Sequence, residues 1–219
     1  MICSLKNDVV GYMKKILKNY HVIITAAGLS RRMGQFKPLM PLGNGCILQS
    51  TIESFQKAGL NNITVIVGYR KDELTPILQK LGVQIVENEN YKNSDMLESI
   101  KLGISNIPLS TSGILLCPGD IPLIRPQTIQ KIVEEYHTGS TQILIPVYHG
   151  KSGHPPVFSG DIIPSILAYG GDYGLRGIFE KHKQKTGYLE VPDSEIIQDT
   201  DLPKDYERLL LAYQKKEKP

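Results

Sequence analysis

At 219 residues the chain is long enough for one domain with a substantial core, and its 41% hydrophobic and 21% charged residues are ordinary for a globular protein. A net charge of +3 is too small for the clustered basic face of a nucleic-acid binder, but it is compatible with a small anionic partner. No apolar run approaches a membrane span, no signal-peptide stretch opens the chain, and three cysteines without a C-x-x-C pair argue against zinc or redox chemistry and for reduced thiols in the cytoplasm.

Residues 1–19 read as an N-terminal extension. Val9, Met13, Ile16 and Leu17 recur at helical spacing with Lys14, Lys15 and Lys18 between them, which predicts an appended amphipathic helix. From His21 the pattern alternates. Short apolar runs at 21–25, 63–67, 83–86 and 113–117 read as buried strands. Amphipathic helices are expected between and after them, at 47–58, 72–81, 95–104 and 126–136, the last with a proline in its first turn. Residues 142–148 and 155–158 read as strands joined by the loop His149-Gly150-Lys151-Ser152-Gly153-His154. Helices at 161–169 and 174–181, a strand near Leu189 and a helix at 203–213 close the chain. Strand–helix alternation of this kind predicts an α/β fold with helices on both faces of a mostly parallel sheet, and residues 20–219 read as one domain.

The segment after the first strand carries Gly28, Ser30, Arg31, Arg32, Gly34 and Lys37. Glycines let the backbone turn sharply and approach an anion, consecutive N–H groups form an anion nest, and Arg and Lys add charge for phosphate oxygens. The loop is not a Walker A sequence, because Gln35 follows Gly34, and the dinucleotide fingerprint G-x-G-x-x-G is missing, which speaks against an NAD(P) oxidoreductase. Asp120 falls just beyond a predicted strand in Cys117-Pro118-Gly119-Asp120-Ile121-Pro122 and suits a hard cation such as Mg²⁺. Asp199 and Asp201 alternate in a segment that, if extended, points both the same way; Asp201 equally suits the N-cap of the last helix. Either one is a candidate second ligand.

Ala26-Ala27-Gly28-x-Ser30-x-Arg32-Met33-Gly34-x-x-Lys37-x-Leu39 resembles the signature of the molybdenum cofactor nucleotidyltransferases, and most of all their cytidylyltransferase branch. The resemblance extends to Gly119-Asp120-x-Pro122-Leu123, to Asn88 through Gly103, to Gly153-His154-Pro155, to Gly171-Asp172-x-Gly174-Leu175-Arg176 and to Asp199-x-Asp201-Leu202-Pro203. It implies a Rossmann-like three-layer αβα fold and transfer of a nucleotide from an NTP to a phosphorylated acceptor with loss of pyrophosphate. CTP is favoured over GTP, since the guanylyl branch tends to carry Asp-Lys-Gly where this chain has Phe36-Lys37-Pro38.

The same resemblance implies the site. Lys37, Arg32 and Asp120 would be catalytic, with Lys37 at the α-phosphate and Arg32 on the phosphate chain. Ala26, Ala27, Gly28, Leu29, Ser30, Arg32, Met33, Gly34, Lys37, Gly68, Ser99 and Gly119 would bind the nucleotide. Ser99 would lie near the base, although a hydroxyl both donates and accepts and does not by itself select cytosine. Asp120 with Asp201 or Asp199 would hold Mg²⁺, or Mn²⁺ in its place. Gly153, His154, Pro155, Asp172 and Arg176 would meet the acceptor, with Arg176 pairing an anion or bracing the loop through Asp172. The implied acceptor is molybdopterin and the implied protein partner a molybdoenzyme. A sugar phosphate or other alcohol phosphate is the alternative acceptor, and a non-catalytic nucleotide-binding accessory protein for a molybdenum hydroxylase is the alternative function.

Overall fold

A computed structural model describes residues 11–108 and 110–217. The N-terminal amphipathic pattern is realised as a helix over residues 11–17, α1, whose Ile16 and Leu17 are buried; Val9 and the rest of residues 1–10 lie outside the described residues. Strand β1 (Tyr20–Ala26) follows, then a small hairpin of β2 (Pro41–Leu42) and β3 (Gly45–Cys46), and helix α2 (Ile47–Lys57). Next come β4 (Ile63–Val67), α3 (Lys71–Lys80), β5 (Gln84–Glu87) and α4 (Met96–Ser105). After these are β6 (Gly113–Pro118), α5 (Pro126–Thr138), β7 (Ile143–Tyr148), β8 (Lys151–Ser152) and β9 (Val157–Ser159). The chain continues through α6 (Ile163–Leu167), α7 (Gly174–Lys181), β10 (Thr186–Glu190) and α8 (Pro203–Glu217).

The main sheet runs β10-β7-β9-β6-β1-β4-β5, with β8 paired to β7. β1 is parallel to both β4 and β6, β5 is parallel to β4, and β10 is parallel to β7. β9 runs antiparallel between β6 and β7, so the sheet is mostly parallel but mixed. Val22, Ile23 and Ile24 of β1 have no exposure, as expected for a central strand covered on both sides.

Side chains alternate across the pleat and sort into two cores. Val22, Ile24, Val65, Leu115 and Cys117 face one way and pack with Leu48, Ile52 and Phe55 of α2, Leu74 and Leu78 of α3, and Ile129, Ile132 and Val133 of α5. Ile23, Ile66, Ile114 and Leu116 face the other way, onto Leu97, Ile100 and Ile104 of α4, Ile166 of α6 and Ile178 of α7. This gives the three-layer αβα arrangement. A third cluster of Met33, Met40, Leu42, Ile47, Leu123 and Leu209 lies where α8 closes over the β2–β3 hairpin.

Several elements depart from the sequence pattern for local reasons. The expected helix at 161–169 is a 3-10 turn over Gly160–Ile162 followed by only five helical residues, with Pro164 in the first turn. The expected strand at 155–158 begins at Val157, because Pro155 and Pro156 have no N–H to give the ladder, although the Pro156 carbonyl still accepts the Leu116 amide at 3.1 Å. Lys151 and Ser152, read as loop, form the edge strand β8. Among the described residues no helix is long and apolar enough to cross a membrane.

Candidate active site

The strand order places a switch point at the C-terminal ends of β1 and β6. After β1 the chain moves to β4 and β5 on one side; it then returns to β6 on the other. Crevices at such reversals are where open α/β sheets take ligands. A cavity of about 310 Å³ lies there, bordered by both loops, the start of α4 and Asp201.

The loop after β1 is pinned at its apolar residues. Met33 and Phe36 are buried, while Arg31 and Arg32 face outward. Ser30 has φ 52° and Gly34 φ 72°, left-handed conformations that curl the loop back. The Ser30 hydroxyl accepts the Lys37 amide at 3.2 Å and the Ser30 carbonyl accepts the Met33 amide at 3.1 Å. This closure brings Lys37, at the head of a 3-10 turn, back over the sheet edge.

Lys37 is the centre of the charge arrangement. Its ammonium donates to Asp120, and to Asp201 at 2.9 Å. Arg32 pairs with the other oxygen of Asp201 at 2.8 Å, with 71% of its side chain exposed. Burial works against the Lys37 ammonium, yet the adjacent Asp120 and Asp201 carboxylates outweigh it and hold the pKa above the ordinary lysine value.

The backbone around Asp120 is held by groups remote in sequence. Thr200 is buried and donates to the Asp120 carbonyl at 3.1 Å. Thr51 and Ser54 of α2 donate to the carbonyls of Gly119 and Pro122 at 3.1 and 3.0 Å. The Gly119 amide donates to Thr25 at 2.9 Å, and a Cβ at Gly119 would sit 2.9 Å from Leu48, so glycine is needed for this close approach. None of these hydroxyls was singled out from sequence; each acts through a contact that local spacing does not reveal.

Asp201 and Asp199 part company. Thr200 turns inward between them; Asp201 borders the cavity and pairs with Lys37, while Asp199 is exposed and outside the cavity lining. Partial desolvation and the charges of Asp201 and Asp120 raise the Asp199 carboxyl above its ordinary pKa. Asp205, not Asp201, reaches back to the start of α8, accepting the Leu202 amide at 2.8 Å.

The donor set suits a hard divalent cation. Two carboxylates already converge on one positive charge, and Mg²⁺ ordinarily takes one or two protein carboxylates and completes its shell with phosphate oxygens and water. Among the described residues no group of three or more His, Cys, Asp or Glu could hold a metal, so substrate oxygens would have to supply the rest.

Of the other expected nucleotide contacts, Ala26, Ala27, Gly28, Ser30, Met33, Ser99 and Gly119 border the cavity. Leu29 and Gly34 instead line a cleft on the far side of the loop, with Phe36, Tyr69 and Arg70. Gly68 lies behind the site: a Cβ there would fall 2.7 Å from Tyr91 and 3.0 Å from the Ala27 carbonyl, so its role is to let the β4 turn approach the loop. Tyr91, Ser94, Asp95 and Met96 also border the cavity and were not assigned from sequence.

The expected acceptor residues lie outside the cavity lining. Gly153 packs under Ile196, where a Cβ would meet the Ile196 carbonyl at 2.6 Å, and the His154 amide donates to that carbonyl at 2.8 Å. Burial keeps the His154 ring below its ordinary pKa, and its Nδ1 is buried with no partner among the described residues. Pro155 is buried beside it. Asp172 and Arg176 are exposed at the start of α7, and no ion pair joins them among the described residues. α7 nevertheless abuts the site, since a Cβ at Gly174 would lie 3.8 Å from Asp95.

Residues 22–186 match the MobA-like NTP transferase domain. The chain belongs to this nucleotidyltransferase family. It is 29% identical over 185 residues to the molybdenum cofactor cytidylyltransferase of Escherichia coli K12, covering 84% of this chain and 92% of that one. The crystal structure of Rv0371c from Mycobacterium tuberculosis superposes with a TM-score of 0.77 at 25% identity, covering 89% of this chain and 99% of that one. A manganese complex of Rv0371c superposes with a TM-score of 0.71 at 23% identity, over 89% of this chain and 98% of that one.

Proposed function

We propose that this protein transfers CMP from CTP to a phosphorylated small molecule, molybdopterin before a sugar phosphate, and releases pyrophosphate, using Mg²⁺ with Mn²⁺ able to replace it. The observation that carries this reading is the convergence of Lys37, Asp120 and Asp201 beside the glycine-containing loop at the sheet's switch point. The likeness to a molybdenum cofactor cytidylyltransferase supports the acceptor and the nucleotide, and the manganese complex of Rv0371c supports a divalent metal.

In this reading an oxygen of the acceptor's phosphate attacks the α-phosphorus in line. The new P–O bond forms as the bond to the α–β bridging oxygen breaks, and pyrophosphate leaves with that electron pair. The attacking phosphate is already anionic near neutral pH, so no protein base is needed. Lys37, held as an ammonium, stabilises charge at the α-phosphate. Arg32, largely exposed at the cavity, turns to the phosphate chain and neutralises it. Ala26, Ala27, Gly28, Ser30, Met33 and Gly119 shape the nucleotide half, with Leu29, Gly34 and Gly68 supporting the loop from behind. Asp120 and Asp201, in preference to Asp199, would hold the metal, which would supply charge neutralisation for the phosphates. Gly153, His154, Pro155, Asp172 and Arg176 form the acceptor half, and a molybdoenzyme receives the product.

The test is a pyrophosphate-release screen of the four NTPs against molybdopterin and a panel of sugar phosphates, with Mg²⁺, Mn²⁺ or EDTA. Release with CTP, molybdopterin and either metal supports the reading. Release only with a sugar phosphate moves the acceptor, and NTP binding without any release points to an accessory protein.

A further inference from the structure

Asn88 is buried, with 2% exposure, at the end of β5 and behind the cavity wall. Its amide nitrogen donates in two directions, to the Ser94 hydroxyl at 2.8 Å and to the Ser99 hydroxyl at 3.0 Å. Both serines border the cavity. The Asn88 backbone is fixed as well: its N–H donates to Val67 at 2.8 Å and its carbonyl accepts the Tyr91 amide at 3.3 Å. The side chain therefore has little freedom to withdraw.

A serine hydroxyl has one proton to give and two lone pairs to receive. Here each hydroxyl receives a proton from the same amide, and among the described residues neither has a side-chain or backbone acceptor for its own proton. Both O–H bonds are thus left to point at whatever occupies the cavity. The ambiguity of a hydroxyl, which donates as readily as it accepts, is removed by the residue behind it.

Two neighbouring donors read two neighbouring acceptors. The Watson–Crick edge of cytosine offers such a pair in O2 and N3. Uracil carries a proton on N3, guanine carries protons on N1 and N2, and adenine offers N1 next to a donor. We propose that Asn88 is a positioning residue that sets Ser94 and Ser99 as paired donors, and that this polarity selects CTP over UTP. The inference rests on the proposed nucleotidyl transfer and deepens its nucleotide assignment.

Titration calorimetry with CTP, UTP, GTP and base-free tripolyphosphate, each with Mg²⁺, tests it on the full chain. The wild type should bind CTP at least about tenfold more tightly than UTP, since a site built to hydrogen-bond a substrate strongly rejects an analogue with mismatched polarity. Asn88→Asp replaces the double donor with an acceptor, so both hydroxyls turn inward and present lone pairs to the base. Its CTP-to-UTP ratio should fall by about tenfold or more. The added charge acts equally on both nucleotides and cancels in that ratio, while tripolyphosphate reads the charge effect alone.

Ser94→Ala, Ser99→Ala and the double variant keep Asn88 and cover the case in which Asn88→Asp does not fold; the double variant should lose the discrimination. A folded Asn88→Asp protein, or a folded double-serine variant, that keeps the wild-type ratio overturns the inference while leaving the CTP assignment standing. A wild type that binds no NTP, or prefers a purine, overturns that assignment and this inference with it.

Discussion

Lys37 and Asp120, 83 residues apart in the chain, form an ion pair at the C-terminal edge of the sheet, the lysine ammonium donating to the aspartate carboxylate. Both side chains are largely buried, at 16% and 12% exposure, so the pair is part of the site's framework. Lys37→Ala is expected to lower kcat by about 10²–10³-fold, the usual effect of removing one donor aimed at developing negative charge. It also leaves Asp120 and Asp201 facing each other, which costs about 2–4 kcal/mol of stability. Mg²⁺ should recover part of that loss by binding the vacated carboxylates, so the variant's Tm should rise more on adding Mg²⁺ than the wild type's. Thermal melts with and without Mg²⁺ check this; an equal rise in both proteins contradicts it.

The two C-terminal aspartates are separable by metal titration. Asp120→Asn and Asp201→Asn should each raise the Mg²⁺ concentration needed for half-maximal activity by about tenfold or more, whereas Asp199→Asn should change it by less than about threefold. The reason is that Asp201 meets Lys37 at 2.9 Å, whereas Asp199 is exposed and outside the cavity lining. A strong effect at Asp199 with none at Asp201 reverses the assignment.

Thr200→Val tests the support beneath Asp120. It keeps the shape and removes the hydroxyl that donates to the Asp120 carbonyl at 3.1 Å. A stability loss of about 1 kcal/mol is expected from the lost bond, together with a weaker apparent affinity for Mg²⁺ at unchanged affinity for tripolyphosphate. Denaturant melts and the metal titration read the two effects separately.

The fold itself carries a pH dependence remote from the site. His21 is buried on β1, and its Nε2 meets the Thr64 hydroxyl at 2.8 Å. That hydroxyl gives its own proton to Gln84 at 2.9 Å, so His21 is the donor. Burial lowers its pKa from 6.5 to about 4. Between those values the unfolded chain binds a proton that the folded one does not. Stability is therefore complete above pH 6.5 and is lost as pH falls toward 4, by up to about 3 kcal/mol. Urea melts at pH 7.5 and 5.0 should show a smaller difference for His21→Gln than for the wild type.

The sheet and the glycine-containing loop after β1 are legible in the sequence because their signals are local. Val22, Ile23 and Ile24 form a continuous apolar run, and Gly28, Ser30, Arg32 and Lys37 crowd one turn. The antiparallel insertion of β9 is not legible, since Pro155 and Pro156 mask the start of a short strand and nothing in its three residues states their direction. The hydroxyls of Thr51 and Thr200 and the amide of Asn88 are equally hidden. Their partners are 68, 80 and 11 residues away, and only the packed chain brings them together. What separates Asp201 from Asp199 is the contact of Asp201 with Lys37, 164 residues away, and two-residue alternation alone treats the two alike.

The most direct test of the central claim is pyrophosphate release from CTP in the presence of molybdopterin and Mg²⁺, run side by side on the wild type and Asp120→Ala. The account predicts release by the wild type that EDTA abolishes, and no release by the variant. Turnover by Asp120→Ala at the wild-type rate, or no release by the wild type with any NTP, acceptor and divalent metal tried, contradicts it.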